Sequence, residues 1–352
     1  MEDKKETIKN GDAKRFGAGA TRRRVLTVVM LVVMAWGAWY FTRMAAGFDG
    51  DKAVWVRIPA TATVAEAKDS IKSALGNDFG GRVAAMWNDD VEASHGAYRI
   101  EPGEKAWRIA RKIGQGRQTP VKVTFNNIRT PDRLAERLAS RMDFTPEQFS
   151  RACSEAAAAD SLTPEQFAVQ FLPDTYEAYW SASPAELIAK IRQHYTRFWT
   201  AQRKEKAAAL GLDPMQVSVL ASIVEEESNR RDERPKIARL YLNRLKRGMM
   251  LQADPTVKFA TGDFEARRIT GNMLQTDSPY NTYRYAGLPP GIIRYPEAST
   301  IDAVLNAPAH DWIYMCARTD GSGYHDFTSS YSTHLDNARK FRAAAYGNAA
   351  RK

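Results

Sequence analysis

The 352-residue sequence, 44% hydrophobic and 26% charged, is long enough to bury a full core in more than one domain. Its net charge of +10 points to an anionic partner. Much of that charge is local, because residues 1–24 carry Lys4, Lys5, Lys9, Lys14, Arg15 and Arg22 to Arg24. No Walker loop, zinc knuckle or RNA-binding signature occurs, and His95, His194, His310, His325 and His334 lack metal-ligand spacing, which sets aside nucleic acid, metal and cofactor.

Residues 1–24 are polar and rich in Gly, Lys and Asp, and composition predicts a disordered tail. Residues 25–42 follow as an uncharged run of 18 that meets the lower limit for a membrane span. Trp36, Trp39 and Tyr40 gather at its C-terminal end, as an interfacial belt does. The arginines precede it and only Arg43 lies just after, so a single-pass helix with a cytoplasmic N-terminus is expected. A cleaved signal peptide ending near residues 44–47 (MAAG) is the rival reading. Either way, the rest of the chain lies outside the cytoplasm.

Residues 53–142 repeat one pattern three times: a short β-prone run, a Pro or Asn turn, then an amphipathic helix. Strands are predicted at 54–58, 98–100 and 121–125. The helices carry apolar residues at Ala65, Ile71 and Leu75, at Trp107, Ile109 and Ile113, and at Leu134, Leu138 and Met142. A small α+β module is the expected result. Residues 143–210 read as a mostly helical connector, with Thr145, Thr163 and Ser183 at N-cap positions before Pro. Between them, residues 171–180 (FLPDTYEAYW) form a loop or short strand.

A third region, 211–345, opens on the stretch around which the chain is organised. Asp213 is a helix cap, Pro214 occupies the first helical position, and Gln216 completes a capping box. Val217, Leu220, Ile223 and Val224 mark one buried face. Three glutamates follow. At about 100° per residue, Glu227 falls about 20° from Leu220, whereas Glu225 and Glu226 lie about 140° and 120° away on opposite sides. A carboxyl on an apolar face has a raised pKa and suits a general acid. The alternative is that the helix frays at Glu227 and all three are solvated. A second helix is predicted over 233–247, closed by Gly248 at C′, and the segment 251–256 (LQADPT) is predicted as a polar loop. Asn243 and Arg244 are given structural roles, Asn243 turned toward the glutamate-bearing helix. Cys153 and Cys316 are the only cysteines, and whether they pair is left open.

ASIVEEES with NRLKRGMMLQADPTV, SPYNTYRYAGLPPGII (278–293) and GYHDFTSSYSTHL (323–335) together resemble, in order, the blocks of the MltG (YceG-like) family of endolytic transglycosylases. The second strand–turn–helix unit is similar to the family's LysM-like module. The third strand here leads into Asn126 and Asn127 where the family has Pro-Glu-Gly. The resemblance implies an α+β chain with one transmembrane helix, a LysM-like module and a mixed α/β catalytic domain whose catalytic Glu227 sits on a helix. It implies cleavage between N-acetylmuramic acid and N-acetylglucosamine within peptidoglycan strands, leaving a 1,6-anhydro end and terminating strand growth at the inner membrane. Glu227 would act alone, as acid and then as base, with Glu225 and Glu226 as bystanders. Gln252, Asp254, Thr256, Tyr280, Asn281 and Thr282 are expected to form the substrate groove. Penicillin-binding proteins are implied partners, again by resemblance alone. Two other readings stay open: a hydrolytic glycosidase using Asp254 or Glu233 as second carboxylate, and a non-catalytic glycan-binding scaffold.

Overall fold

The computed structural model describes residues 9–266 and 268–349. It divides between Thr119 and Pro120 into two compact units.

In the first unit, helix α1 spans Lys9–Ala45. Its stretch Arg22–Thr42 is long and apolar enough to cross a membrane, and none of it is covered by protein. Twenty-one residues at about 1.5 Å each match the thickness of a hydrocarbon core. The helix starts earlier than composition predicts, because residues 9–24 of the expected tail continue it. No Pro interrupts these residues and Ala, Lys and Arg among them are good helix formers, so a helix nucleated in the apolar run continues through them despite Gly11, Gly17 and Gly19, which disfavour it by about 1 kcal/mol each relative to Ala. Residues 1–8 of that tail lie outside the described residues.

Strand β1 (Val54–Ile58) pairs antiparallel with β2 (Gly96–Ile100), Val56 facing Tyr98. Helices α2 (Val64–Leu75), α3 (Asn77–Met86) and α4 (Val91–Ser94) connect them, and α5 (Ala106–Gly114) follows. A capping box between Thr63 and Glu66 starts α2. Val56, Ile58, Ile71, Phe79, Tyr98, Ile109 and Ile113 share one core. On α5 the buried stripe is Ala106, Ile109, Ala110 and Ile113, the i, i+3, i+4, i+7 set. Trp107 lies off that stripe and is exposed, contrary to the sequence reading, and Ala67 replaces Ala65 on α2.

The second unit begins with β3 (Val121–Phe125), which pairs with β4 (Asp174–Ala178), Val123 opposite Tyr176. The third strand–helix repeat therefore does not join the first two, and the boundary predicted at 142 falls at 119–120. A pairing across some fifty residues leaves no local mark on sequence. Helices α6 (Pro131–Ala139), α7 (Pro146–Ala159), α8 (Pro164–Ala168), α9 (Pro184–Phe198) and α10 (Ala201–Ala209) complete this part. Thr145, Thr163 and Ser183 each cap a helix with Pro in the first turn, as predicted, and each also closes a capping box.

Helix α11 (Pro214–Glu227) lies at the centre of the following elements, α12 (Arg234–Lys246), α13 (Asp254–Thr261), α14 (Gly271–Leu274) and α15 (Ala298–Leu305). Hairpin β5 (Tyr314–Ala317) and β6 (His325–Thr328) pairs Cys316 with Asp326, and α16 (Tyr331–Ala349) ends the described chain. Every residue of α11 from Val217 to Glu225 is buried. The one-sided amphipathic helix read from sequence is thus enclosed on all sides, since α12 and α15 pack against it from elsewhere in the chain. The segment 251–256 is half loop, half helix, as α13 starts at Asp254. Helix α12 closes with Met249 N–H on Arg244 O (2.9 Å) and Gly248 N–H on Leu245 O (3.0 Å), with Gly248 at φ 66°. These are the two bonds of a Schellman cap at the predicted glycine. Cys153 and Cys316 are both free thiols.

Candidate active site

The capping box of α11 is present as read: Gln216 N–H donates to Asp213 Oδ1 (2.8 Å) and Asp213 N–H to Gln216 Oε1 (3.0 Å). The helix ends at Glu227, where Ser228 turns to extended backbone. Ser228 Oγ accepts from Arg230 N–H (3.0 Å), which fixes that exit.

The three glutamates have three different surroundings, and none is simply solvated. Glu225 is 2% exposed; its Oε2 accepts from Thr300 Oγ1 (2.6 Å) and Glu297 N–H (2.9 Å), and Arg294 Nε stands 3.2 Å from its Oε1. Glu226 receives two parallel bonds from Arg129 (2.9 and 3.0 Å) and one from Arg294 (2.9 Å). Glu227 alone faces a cavity of about 760 Å³. Its Oε1 accepts a 2.6 Å hydrogen bond from Tyr241 Oη on α12.

Burial pushes the Glu227 carboxyl up to about 7. The Tyr241 hydroxyl pulls it down, the charges of Asp254 and Glu226 push it up, and Arg244 lowers it. Its place at the carbonyl end of α11 also disfavours a negative charge. Near neutrality the group is therefore divided between acid and conjugate base.

This carboxyl also sets a pH dependence of stability. Its folded value lies above the ordinary 4.5, so its contribution is complete below pH 4.5 and is lost as pH rises through 7. The loss amounts to about 3 kcal/mol. Glu227→Gln is neutral throughout and keeps an acceptor for Tyr241. The variant is expected to match wild type at pH 4.5 and to exceed it by a few kcal/mol at pH 8, measured by urea unfolding at both values.

Of the six residues predicted to form the groove, Gln252 and Asp254 line this cavity. Gln252 does so with φ 51°, a left-handed conformation costly for a non-glycine residue. Its N–H is held on Thr282 O (3.1 Å), and its Oε1 accepts from Arg244 Nη1 (3.3 Å). Asp254 Oδ1 accepts from Tyr283 Oη (2.6 Å).

The other four do not reach the cavity. Thr256 and Thr282 are buried and share a 2.8 Å hydroxyl bond, while Thr282 Oγ1 accepts from Ala253 N–H (3.0 Å). Asn281 donates to Leu274 O and Thr276 O, and its Oδ1 accepts from Tyr283 N–H. Tyr280 packs on Phe259, centroids 4.7 Å apart. Short polar side chains satisfy turn backbone as readily as they bind ligands, and here they staple the 251–256 segment to 281–283. Asn281 thereby places Tyr283, which holds Asp254.

Sequence reasoning missed Tyr241, Tyr283, Arg244 and His325 as cavity residues. Tyr241 occupies a buried-face position of α12 and reads as core. Arg244 reaches Ile313 O (2.6 Å) and Leu251 O (2.8 Å), tying α12 to the cavity wall. Asn243 turns to His310 O and Trp312 O and not toward α11 as predicted. Glu233, the other candidate second carboxylate, is 3% exposed and engaged by His325.

Known proteins resemble the chain in both sequence and fold. An endolytic murein transglycosylase of Bacillus subtilis is 32% identical over 169 residues, 48% of this chain and 46% of that protein. One of Streptococcus pneumoniae is 33% identical over 148 residues, 40% of this chain and 25% of that protein. The matches thus span less than half the length of these curated relatives. A crystal structure of a YceG-like protein from Listeria monocytogenes superposes with a TM-score of 0.54 at 23% identity, covering 82% of this chain and 99% of that one, a likeness of fold. The model of the YceG-like family matches residues 56–340, and the chain belongs to that family.

Proposed function

We propose that the chain is an endolytic lytic transglycosylase that cuts peptidoglycan glycan strands, with Glu227 as its acid and base. The observation that carries this reading is the Glu227 carboxyl itself, raised to about 7, hydrogen-bonded by Tyr241 and open to a cavity large enough for sugar rings. The names of the relatives support the substrate class.

In this reading protonated Glu227 gives its proton to the oxygen between N-acetylmuramic acid and the next sugar, and the C1–O bond breaks. Positive charge develops at C1, and the new carboxylate lies where it stabilises that charge. The carboxylate then takes the proton of the C6 hydroxyl while O6 bonds to C1. Glu227 ends as it began, and no water is consumed. A pKa near 7 suits both halves, because acid and conjugate base differ little in free energy at working pH.

Asp254 lines the same cavity, which favours hydrolysis as the second reading. Mass spectrometry of fragments released from purified sacculi separates them. Anhydro ends are expected; a product about 18 Da heavier, carrying one water, makes the enzyme a hydrolase.

For the whole chain we propose that α1 anchors the protein with Arg22 to Arg24 on the cytoplasmic side, which places the catalytic unit outside the inner membrane. The helix-linked antiparallel pair β1–β2 supports the reading of the first unit as LysM-like.

A further inference from the structure

A second acid sits beside the cavity without facing it. Glu233, at the start of α12, is 3% exposed, and three donors converge on its carboxylate. His325 N–H reaches Oε1 at 2.8 Å, His325 Nδ1 lies 2.8 Å from Oε2, and Ser228 Oγ donates to Oε2 at 3.3 Å. His325 is the only basic side chain within 4 Å of this carboxylate among the described residues. The imidazole opens β6 and lines the same cavity as Glu227. A carboxylate only accepts, so Nδ1 carries a hydrogen whether the ring is neutral or charged. Nε2 is then the ring atom left to the cavity.

A purely structural pairing would not need this arrangement. The backbone N–H of His325 already anchors β6 to Glu233 at 2.8 Å. The ring bond adds an orientation, fixing the plane of the imidazole and its free nitrogen. Ser228, the residue directly after Glu227, belongs to the same network. The chain Ser228–Glu233–His325 thus ties the exit of α11 to the ring on the facing hairpin.

We propose that His325 is a glycan-contacting residue, its Nε2 hydrogen-bonding a polar group of the sugar held at Glu227, with Glu233 as its positioning residue. This rests on the transglycosylase reading for the identity of the ligand. It also gives Glu233 a role different from that of a second catalytic carboxylate.

The test uses two isosteres with opposite placements, in the full chain. In His325→Asn the amide keeps a donor near Nδ1 for Glu233 and loses the atom at Nε2. In His325→Gln the amide reaches the Nε2 position and gives up the Glu233 bond. With glycan strands from sacculi as substrate, His325→Asn is expected to lose about tenfold or more in kcat/KM at an unchanged unfolding midpoint, and His325→Gln to retain more activity than His325→Asn. A merely structural histidine gives the reverse order. A His325→Asn variant that cleaves at the wild-type rate overturns the proposal.

A measurement that needs no folded His325 variant is the ¹⁵N resonance of the ring. In Glu227→Gln, which holds the glycan without turnover, short murein strands are expected to shift the Nε2 signal and leave Nδ1 in place. An Nε2 signal unmoved at saturating glycan overturns the proposal. Wild-type product identity is read separately: absence of anhydro ends defeats the transglycosylase reading, whereas anhydro ends with full activity in His325→Asn defeat only the role given to His325.

Discussion

Replacement of Glu227 by Gln is expected to lower glycan cleavage about a thousandfold or more while leaving the fold intact. In the proposed mechanism one carboxyl does two proton transfers, so its loss removes the acid from the first step and the base from the second. Gln fits the same space, and its carbonyl still accepts from Tyr241 Oη, which holds Glu227 Oε1 at 2.6 Å in the native chain. No cavity results and Tyr241 keeps its acceptor, so near-native circular dichroism and an unfolding midpoint no lower than wild type should accompany the loss. The control is the neighbour. Glu226 turns to Arg129 and Arg294, away from the cavity, and Glu226→Gln should cleave within a few-fold of wild type. Release of anhydro fragments by Glu227→Gln at the wild-type rate would remove Glu227 from the mechanism. Equal losses in both variants would mean that the charge cluster, and not one carboxyl, is what the reaction needs.

Glu227 could be singled out from sequence because its position depends on local rules. A capping box at Asp213 and Gln216 sets where α11 begins, and about 100° per residue then determines which glutamate follows Leu220. The Schellman glycine at 248 is local in the same way, as are the caps at Thr145, Thr163 and Ser183. What could not be read depends on distant chain. Glu225 appears solvent-facing on a helical wheel because the wheel shows only one packing partner. The second, α15, arrives from residues 297–300, with Thr300 and the Glu297 N–H to receive the carboxylate. Tyr241 and His325 were hidden for the same reason, since a buried-face tyrosine and a strand histidine acquire chemical meaning only once Glu227 or Glu233 lies beside them. Thr256, Asn281 and Thr282 failed differently. Their side chains suit a sugar hydroxyl and a turn carbonyl equally well, and only the folded chain separates the two uses.

The second large effect should come from Glu225, through stability. Its carboxylate is 2% exposed, 3.2 Å from Arg294 Nε and 3.6 Å from Arg234 Nη1, and it receives Thr300 Oγ1 and Glu297 N–H. Removing one member of such a cluster leaves buried cations and donors without their acceptor, at a cost of about 3–5 kcal/mol. Glu225→Ala should fall at the lower end, because Arg294 keeps Glu226 at 2.9 Å and Arg234 Nη1 keeps Thr300 Oγ1 at 2.7 Å. About 3 kcal/mol corresponds to a midpoint roughly 6–12 °C lower in a unit of this size. Glu225→Gln retains an oxygen for Thr300 and the Glu297 N–H and loses the charge and the oxygen that faces Arg294 Nε, so it should cost less than the Ala variant, which loses both oxygens. The ordering wild type, Gln, Ala in thermal unfolding is the measurement. An Ala variant that melts with wild type would show that Arg234 and Arg294 do not need this carboxylate. In that case the C-terminal turn of α11, and with it the position of Glu227, is held by the apolar contacts of Val217, Leu220, Ile223 and Val224 together with the Arg129 and Arg294 bonds to Glu226 and the Tyr241 bond to Glu227.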